Sequence, residues 1–540
     1  MLNAATLILK NAKVFTVNPQ HPFVQAVAVR GDRIIAIGCD ADMKDFTGKS
    51  TRVIDCDGAF VCPGFNDAHL HFIPGGKKLL GLDVGGIRSK QKVLEKVREF
   101  VERAKPEQWI VGRGWDESLW EDAAAAGGGG ALPTRWDLDR VAPLNPVVLY
   151  RADGHSLWAN SLAMQFNDVT AATQPPAGGE IERDEKGEPT GVFKETATSL
   201  IQVRGGKPPQ EAAPAEALTR AMQEAARLGI TSVQDGSADY AVFEEFARED
   251  KWTVRMYAWG QLDGNLPRWK EIRQRWARFK PTLQLGCLKG FTDGSLDSAT
   301  AAMLTPYVSN PNTRGQLLFT QEELNRRVTE AEREGFQVNL HAIGDAALRL
   351  ALNAFAAAQK AHGQRDTRGR IEHVQFTHPD DLPRFKPLGV IASVQPCHVM
   401  TDMRFAELRV GRGPCERGGY LWKSFVRRGV PLAMGTDWPV EPLDVMPNLY
   451  AAVTRQNLDG EPQGGWYPQE RLTMAEALTA YTLGSAYATF EENIKGSIEV
   501  GKLADMVVLD RDLLSAAPKD VLKTKVLYTI FGGKVVYEGY

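Results

Sequence analysis

The sequence predicts an α/β chain: a (β/α)8 TIM-like barrel, a composite β-sandwich contributed by both termini, and an inserted domain after the first barrel strand. Three observations predict it. Through most of the 540 residues, apolar β-like runs alternate with helical patterns, the arrangement of βα units wound around a parallel sheet. Chemistry-bearing polar residues fall at the C-terminal ends of those runs, where such barrels place their active sites. Short strand-like runs crowd both ends of the chain, and neither group alone could bury an apolar face.

Taken in order, residues 1–62 hold strand-like runs at 7–17, 26–29 and 33–38, separated by Pro, Asn and Gly-Asp turn signals. Residues 491–540 answer with runs at 504–510 and 526–537, completing the sandwich. The catalytic domain is expected over 63–490. Its first strand is read from the apolar run 59–62 leading into the motif that follows, and later strands over 229–236, 253–260, 286–292, 336–341, 369–376, 389–395 and 430–437. Helices are expected over 211–228, 322–334, 346–359, 418–428 and 474–488, with Thr320 and Gln321 before Glu322-Glu323 as an N-terminal cap. Residues 73–210 interrupt this rhythm and are too long for a structureless loop, so they form an inserted domain. It contains the low-complexity run 123–130 and Trp109, Trp115, Trp120, Trp136 and Trp158. Insertions after barrel strands lie over the catalytic face, which makes Trp115 and His155 candidate substrate contacts.

Hydrophobic content of 43% and charged content of 24% are those of a globular protein, and a formal charge of −3 offers no basic field for nucleic acid. The N-terminus lacks signal-peptide features, and no apolar run approaches the roughly 18 residues of a membrane span. The six cysteines are scattered without a CxxC pair, so neither a zinc finger nor a disulfide framework is indicated. A cytoplasmic protein with a small-molecule substrate and no membrane partner is expected. Association with copies of itself is left open.

The organising stretch is Pro63-Gly64-Phe65-Asn66-Asp67-Ala68-His69-Leu70-His71. In a strand His69 and His71 project to one face, roughly 6.6–6.8 Å apart at the backbone, and both can reach one cation. His341 and His373 end later strand-like runs, and Asp437 ends the last, so all three are candidate ligands. Lys289 lies in an otherwise apolar run, where a free ammonium is costly unless paired. Asp293 and His398, also at strand ends, are candidates to bind substrate.

The Pro63–His71 motif, with Lys289-Gly290-Phe291-Thr292-Asp293-Gly294-Ser295, His341-Ala342-Ile343-Gly344-Asp345, Ile371-Glu372-His373 and Gly435-Thr436-Asp437-Trp438-Pro439, resembles the metal-dependent amidohydrolase superfamily. The set is similar to its amidohydrolase-3 branch, with the YtcJ-like proteins and N-substituted formamide deformylases. That resemblance implies a divalent ion, zinc by expectation, with one or two per chain. In the binuclear form Lys289 is carboxylated and bridges, His69, His71 and Asp437 hold one ion, and His341 and His373 hold the other. In the mononuclear form His69, His71, His341 and Asp437 suffice, with His373 orienting substrate or water. The implied reaction is hydrolysis of a non-peptide C–N bond in a small amide or formamide: metal-bound hydroxide attacks while Asp437 accepts the proton and returns it to the leaving nitrogen. Deamination of an aminated heterocycle, or a non-catalytic regulatory role, are the competing readings.

Overall fold

The computed structural model describes residues 4–121, 132–152, 156–209 and 212–539. They divide into two compact units, Met1–Pro74 with Ala221–Tyr540, and Gly75–Arg220.

The first unit contains the expected barrel. Its eight parallel strands follow one another around the sheet: β1 (Phe65–Leu70), β2 (Ile230–Asp235), β3 (Arg255–Gln261), β4 (Leu283–Phe291), β5 (Gln337–Ala342), β6 (Arg370–His373), β7 (Ile391–Val394) and β8 (Leu432–Met434). The seam between β8 and β1 is closed beyond the regular ladder. Asp437 donates its backbone N–H to His69 O at 2.7 Å, and His71 donates to Trp438 O at 2.7 Å. Asp67 ties the same seam by accepting from the Thr436 hydroxyl at 2.6 Å and from its backbone N–H. Gly435 makes this approach possible, since a Cβ there would lie 2.4 Å from the backbone nitrogen of His69.

Two boundaries differ from expectation for identifiable reasons. The apolar run before the histidine motif is a strand of the sandwich, Phe60–Pro63, paired antiparallel with Met506–Leu509. The chain crosses into the barrel at Gly64, where a Cβ would collide with the Thr231 side chain. β6 stops at His373, because His373 (φ 74°) and Val374 (φ 47°) turn left-handed. Two expected helices appear as Gln321–Arg333, capped by the Thr320 hydroxyl accepting from Glu323 N, and Asp345–His362.

The terminal sandwich has a four-stranded sheet from the N-terminal segment and a six-stranded sheet in which three neighbouring strands from near the C-terminus join three from near the N-terminus. Leu9, Val27, Val61, Val508 and Ile530 fill the shared core. Arg255 of β3 is clamped to it by a buried bidentate pair with Asp505, at 2.6 and 2.9 Å.

The second unit carries its own six-stranded sheet and core. Trp115, Trp120 and Trp158 pack together there, and Trp115 donates its indole N–H to Leu149 O at 2.8 Å. Trp115 is therefore a core residue of the insertion with no exposed face. The run 123–130 and His155 lie outside the described residues.

One helix residue predicts a pH-dependent stability. Glu332 is 5% exposed, and burial pushes its carboxyl up to about 7 against the opposing pull of Thr367 and Arg365. The folded state thus keeps a proton that the unfolded chain releases, so stability falls as pH rises from the unfolded value toward 7. Glu332→Gln should gain about 1–3 kcal/mol at pH 8 and much less at pH 5. Urea denaturation at the two pH values measures this; equal effects at both would contradict it.

Candidate metal centre

The barrel strands deliver their polar residues to one end. His69 lies near the end of β1 and His71 just beyond it. His341 and His373 sit at the ends of β5 and β6. Asp437 follows β8, in the left-handed region at φ 58°. A non-glycine residue is held in that conformation only when its surroundings enforce it. His398 enters from the short helix Cys397–Asp402 that follows β7.

Asp437 is the centre of this set. Its Oδ1 lies 3.3 Å from His71 Nε2 and 3.6 Å from His69 Nε2, and its Oδ2 lies 3.5 Å from His398 Nε2. Two compact donor groups result, His69 with His71 and Asp437, and His373 with His398 and Asp437. Within each group the candidate ligand atoms lie within 4.8 Å of one another. His341 packs against His373 with ring centroids 4.6 Å apart, but its Nε2 faces Gly294 O at 2.9 Å.

The hydrogen bonds decide which ring nitrogens carry protons. Glu372 Oε2 lies 2.7 Å from His69 Nδ1. Burial opposes ionisation of Glu372, but Arg370 and then His69 outweigh it and hold the carboxyl at about 2. An ionised carboxylate only accepts, so His69 carries its proton on Nδ1 and leaves Nε2 with a lone pair toward Asp437. Gln395 Oε1 does the same for His373 Nδ1 at 2.9 Å. Burial, and then the charge of Lys289, lower the His69 pKa to about 4, and burial takes His373 well below the usual range, so both rings are neutral near pH 7. Burial opposes the charge on Asp437, yet His69, His398 and His71 keep its carboxyl well below its ordinary value.

Buried Asp437 Oδ1, His398 Nε2 and Lys289 Nζ each lack a hydrogen-bond partner among the described residues. Unpaired buried polar atoms cost about 1–3 kcal/mol each, more when charged, so three in one cluster need an explanation. Neutral imidazole lone pairs converging on an ionised carboxylate fit a divalent cation. Lys289 Nζ sits 5.2 Å from the Trp259 ring centroid and 5.3 Å from that of Phe291. Burial lowers it to about 8, although Glu372 and Asp437 pull the other way.

The structure gathers His69, His71, His341, His373 and Asp437, with Lys289 in a buried site nearby. It puts His398 among the donors, where the sequence suggested a substrate contact. Asp293 has a bracing position: its buried carboxylate accepts from Ala302, Ile343 and Gly344 backbone N–H groups at 2.9, 3.1 and 2.8 Å. Sequence reasoning assigned no role to Glu372, Arg370 or Gln395. The available signal was the charged pair Arg370 and Glu372, two apart in one buried strand and hence on one face.

The profile of the Amidohydrolase family matches residues 52–537. The chain is 34% identical to the Arabidopsis thaliana protein LONG AFTER FAR-RED 3, over 99% of this chain and 92% of that protein. It is 27% identical to the N-substituted formamide deformylase of Arthrobacter pascens, over 100% and 99% of the two chains. A solved structure of an uncharacterized metal-dependent hydrolase from Pyrococcus furiosus superposes with a TM-score of 0.68 at 27% identity, covering 94% of this chain and all of the other. The chain belongs to the amidohydrolase family.

Proposed function

We propose that the protein is a metal-dependent hydrolase of non-peptide C–N bonds, acting on a small amide or an N-substituted formamide. The observation that carries this reading is the pair of donor groups sharing Asp437, with His69 and His373 locked in the tautomer that points a lone pair inward. His69, His71 and Asp437 would hold one zinc ion, and His373, His398 and Asp437, with His341 alongside, a second. A bound divalent ion lowers the pKa of its water to about 7 and polarises a carbonyl oxygen.

The chain's own groups do the rest. Asp437 accepts the proton lost by the attacking water and returns it to the leaving nitrogen as the C–N bond breaks. Glu372 and Gln395 keep the two imidazoles from rotating. Lys289, lowered by burial to about 8, would become an anion if its neutral Nζ added to carbon dioxide and lost a proton, and in that form it would help to hold the ions. The cavity lined by His69, His71, His341, His373, His398 and Asp437 has a volume of about 460 Å³, enough for a small substrate. Its side walls include Phe291, Leu296, Ile343 and Phe405, apolar surface for an N-alkyl or N-aryl group. All six cysteines are free, which supports a reducing, cytoplasmic setting.

Metal analysis together with a panel of N-substituted formamides, acyl amides and aminated heterocycles tests the reading. Stoichiometric zinc and release of an amine from formamides or amides are expected. Ammonia from a heterocycle instead would identify a deaminase, and zinc-replete protein inert on the whole panel would end the hydrolase reading. Electron density settles Lys289: two ions with a carboxylated Nζ are expected, whereas one ion and a bare amine would remove the bridge.

A further inference from the structure

Beyond the donor groups, the same cavity carries a second tier of polar residues. Gln375, Asp402 and Glu441 line it, each two to four residues past a candidate ligand: His373, His398 and Asp437. Because they follow β6, β7 and β8, the three lie side by side on one wall of the barrel mouth. All three present acceptors. Gln375 is 3% exposed; its Nε2 donates to Asp402 Oδ2 at 2.9 Å, which fixes the amide orientation and leaves Oε1 buried with no partner. Asp402 also accepts from the Tyr420 hydroxyl, and Glu441 from the Thr401 hydroxyl at 3.1 Å. Neither carboxylate is paired with a lysine or arginine among the described residues.

A further acid lining the cavity, Asp297, is already served: it accepts from Ser295 and from Ser298 N, and its carbonyl accepts from Arg409. No lysine or arginine lines the cavity among the described residues. An orphaned buried amide oxygen beside two carboxylates that lack a cation asks for a ligand that donates hydrogen bonds and carries positive charge.

We propose that the substrate bears, away from its scissile bond, a protonated amine that docks against Asp402, Glu441 and Gln375 Oε1. This rests on the hydrolase reading of the cavity and narrows it to amides or formamides of diamines and similar ammonium-bearing amines. The apolar lining at the ends of β4 and β5, Phe291 and Ile343, suits the methylene chain joining the two ends.

Two arms separate the proposal from the reading beneath it. Binding is measured by calorimetry on the zinc-loaded protein with uncleavable probes, N-(4-aminobutyl)- and N-(5-aminopentyl)methanesulfonamide. Each is paired with the N-pentyl or N-hexyl analogue in which methyl replaces the ammonium. Turnover is measured on the corresponding formamides. The ammonium probe of at least one pair is expected to bind about tenfold more tightly than its neutral partner, a preference that Glu441→Gln and Asp402→Asn each reduce several-fold. Preferences within twofold for both pairs, or a preference that Glu441→Gln leaves intact, overturn the proposal. Glu441 sits partly exposed at the rim, so that variant remains informative if Asp402→Asn misfolds. Inert formamides alongside a retained binding preference would sink the hydrolase reading alone.

Discussion

Asp437→Asn is expected to lower turnover by on the order of 10⁴-fold while leaving the circular dichroism spectrum and melting profile close to wild type. The single carboxylate belongs to both donor groups and, in the proposed mechanism, would accept the proton, so an amide there would remove charge from both groups and basicity from that transfer. Bound zinc drops in the same variant. His69→Ala is expected to give a comparable loss, because it would remove a candidate ligand that Glu372 holds in register. Purified Asp437→Asn with near-normal turnover, its metal content checked, would refute the assigned role.

The second large effect is on stability. Arg370 is fully buried inside the barrel and bonds Glu372 Oε1 at 3.0 Å, Ala68 O at 2.7 Å and Gln234 Oε1. Arg370→Met leaves Glu372 as a buried anion whose compensating cation is gone, and should cost about 3–5 kcal/mol in urea denaturation. Adding Glu372→Met recovers part of that loss, since two apolar groups replace two charges. Zinc affinity does not recover, and falls about 10–100-fold, because His69 Nδ1 has lost its acceptor. A double variant with wild-type zinc affinity would show that Glu372 does not orient His69.

How much of this was legible follows from how each residue meets the chain. The barrel was visible because βα alternation survives across eight units. His69, His71, His341, His373 and Asp437 stood out because each closes an apolar run. Glu372 was hidden by its neighbour: adjacent strand residues face opposite ways, and only the left-handed turn at His373 lets both serve one site. The bracing of Asp293 was not legible, because its loop sequence does not show that three backbone N–H groups close over it. The strand Phe60–Pro63 was assigned to the barrel by proximity to the histidines, whereas its pairing partner lies near the other end of the chain.

That last pairing governs how the protein emerges from the ribosome. Pro63 is opposite Met506, so at ordinary elongation rates the strand Phe60–Pro63 waits roughly 20–90 s for its antiparallel neighbour to be synthesised. The first strands of the nascent chain spend that interval with an open, apolar edge, a template for pairing with other nascent chains. Messages that end early, before the codons for Val526–Phe531 and Lys534–Glu538, would yield proteins whose barrel sequence is entire but whose sandwich sheet is left unfinished. The sandwich sheet is therefore completed only by strands made long after its first half.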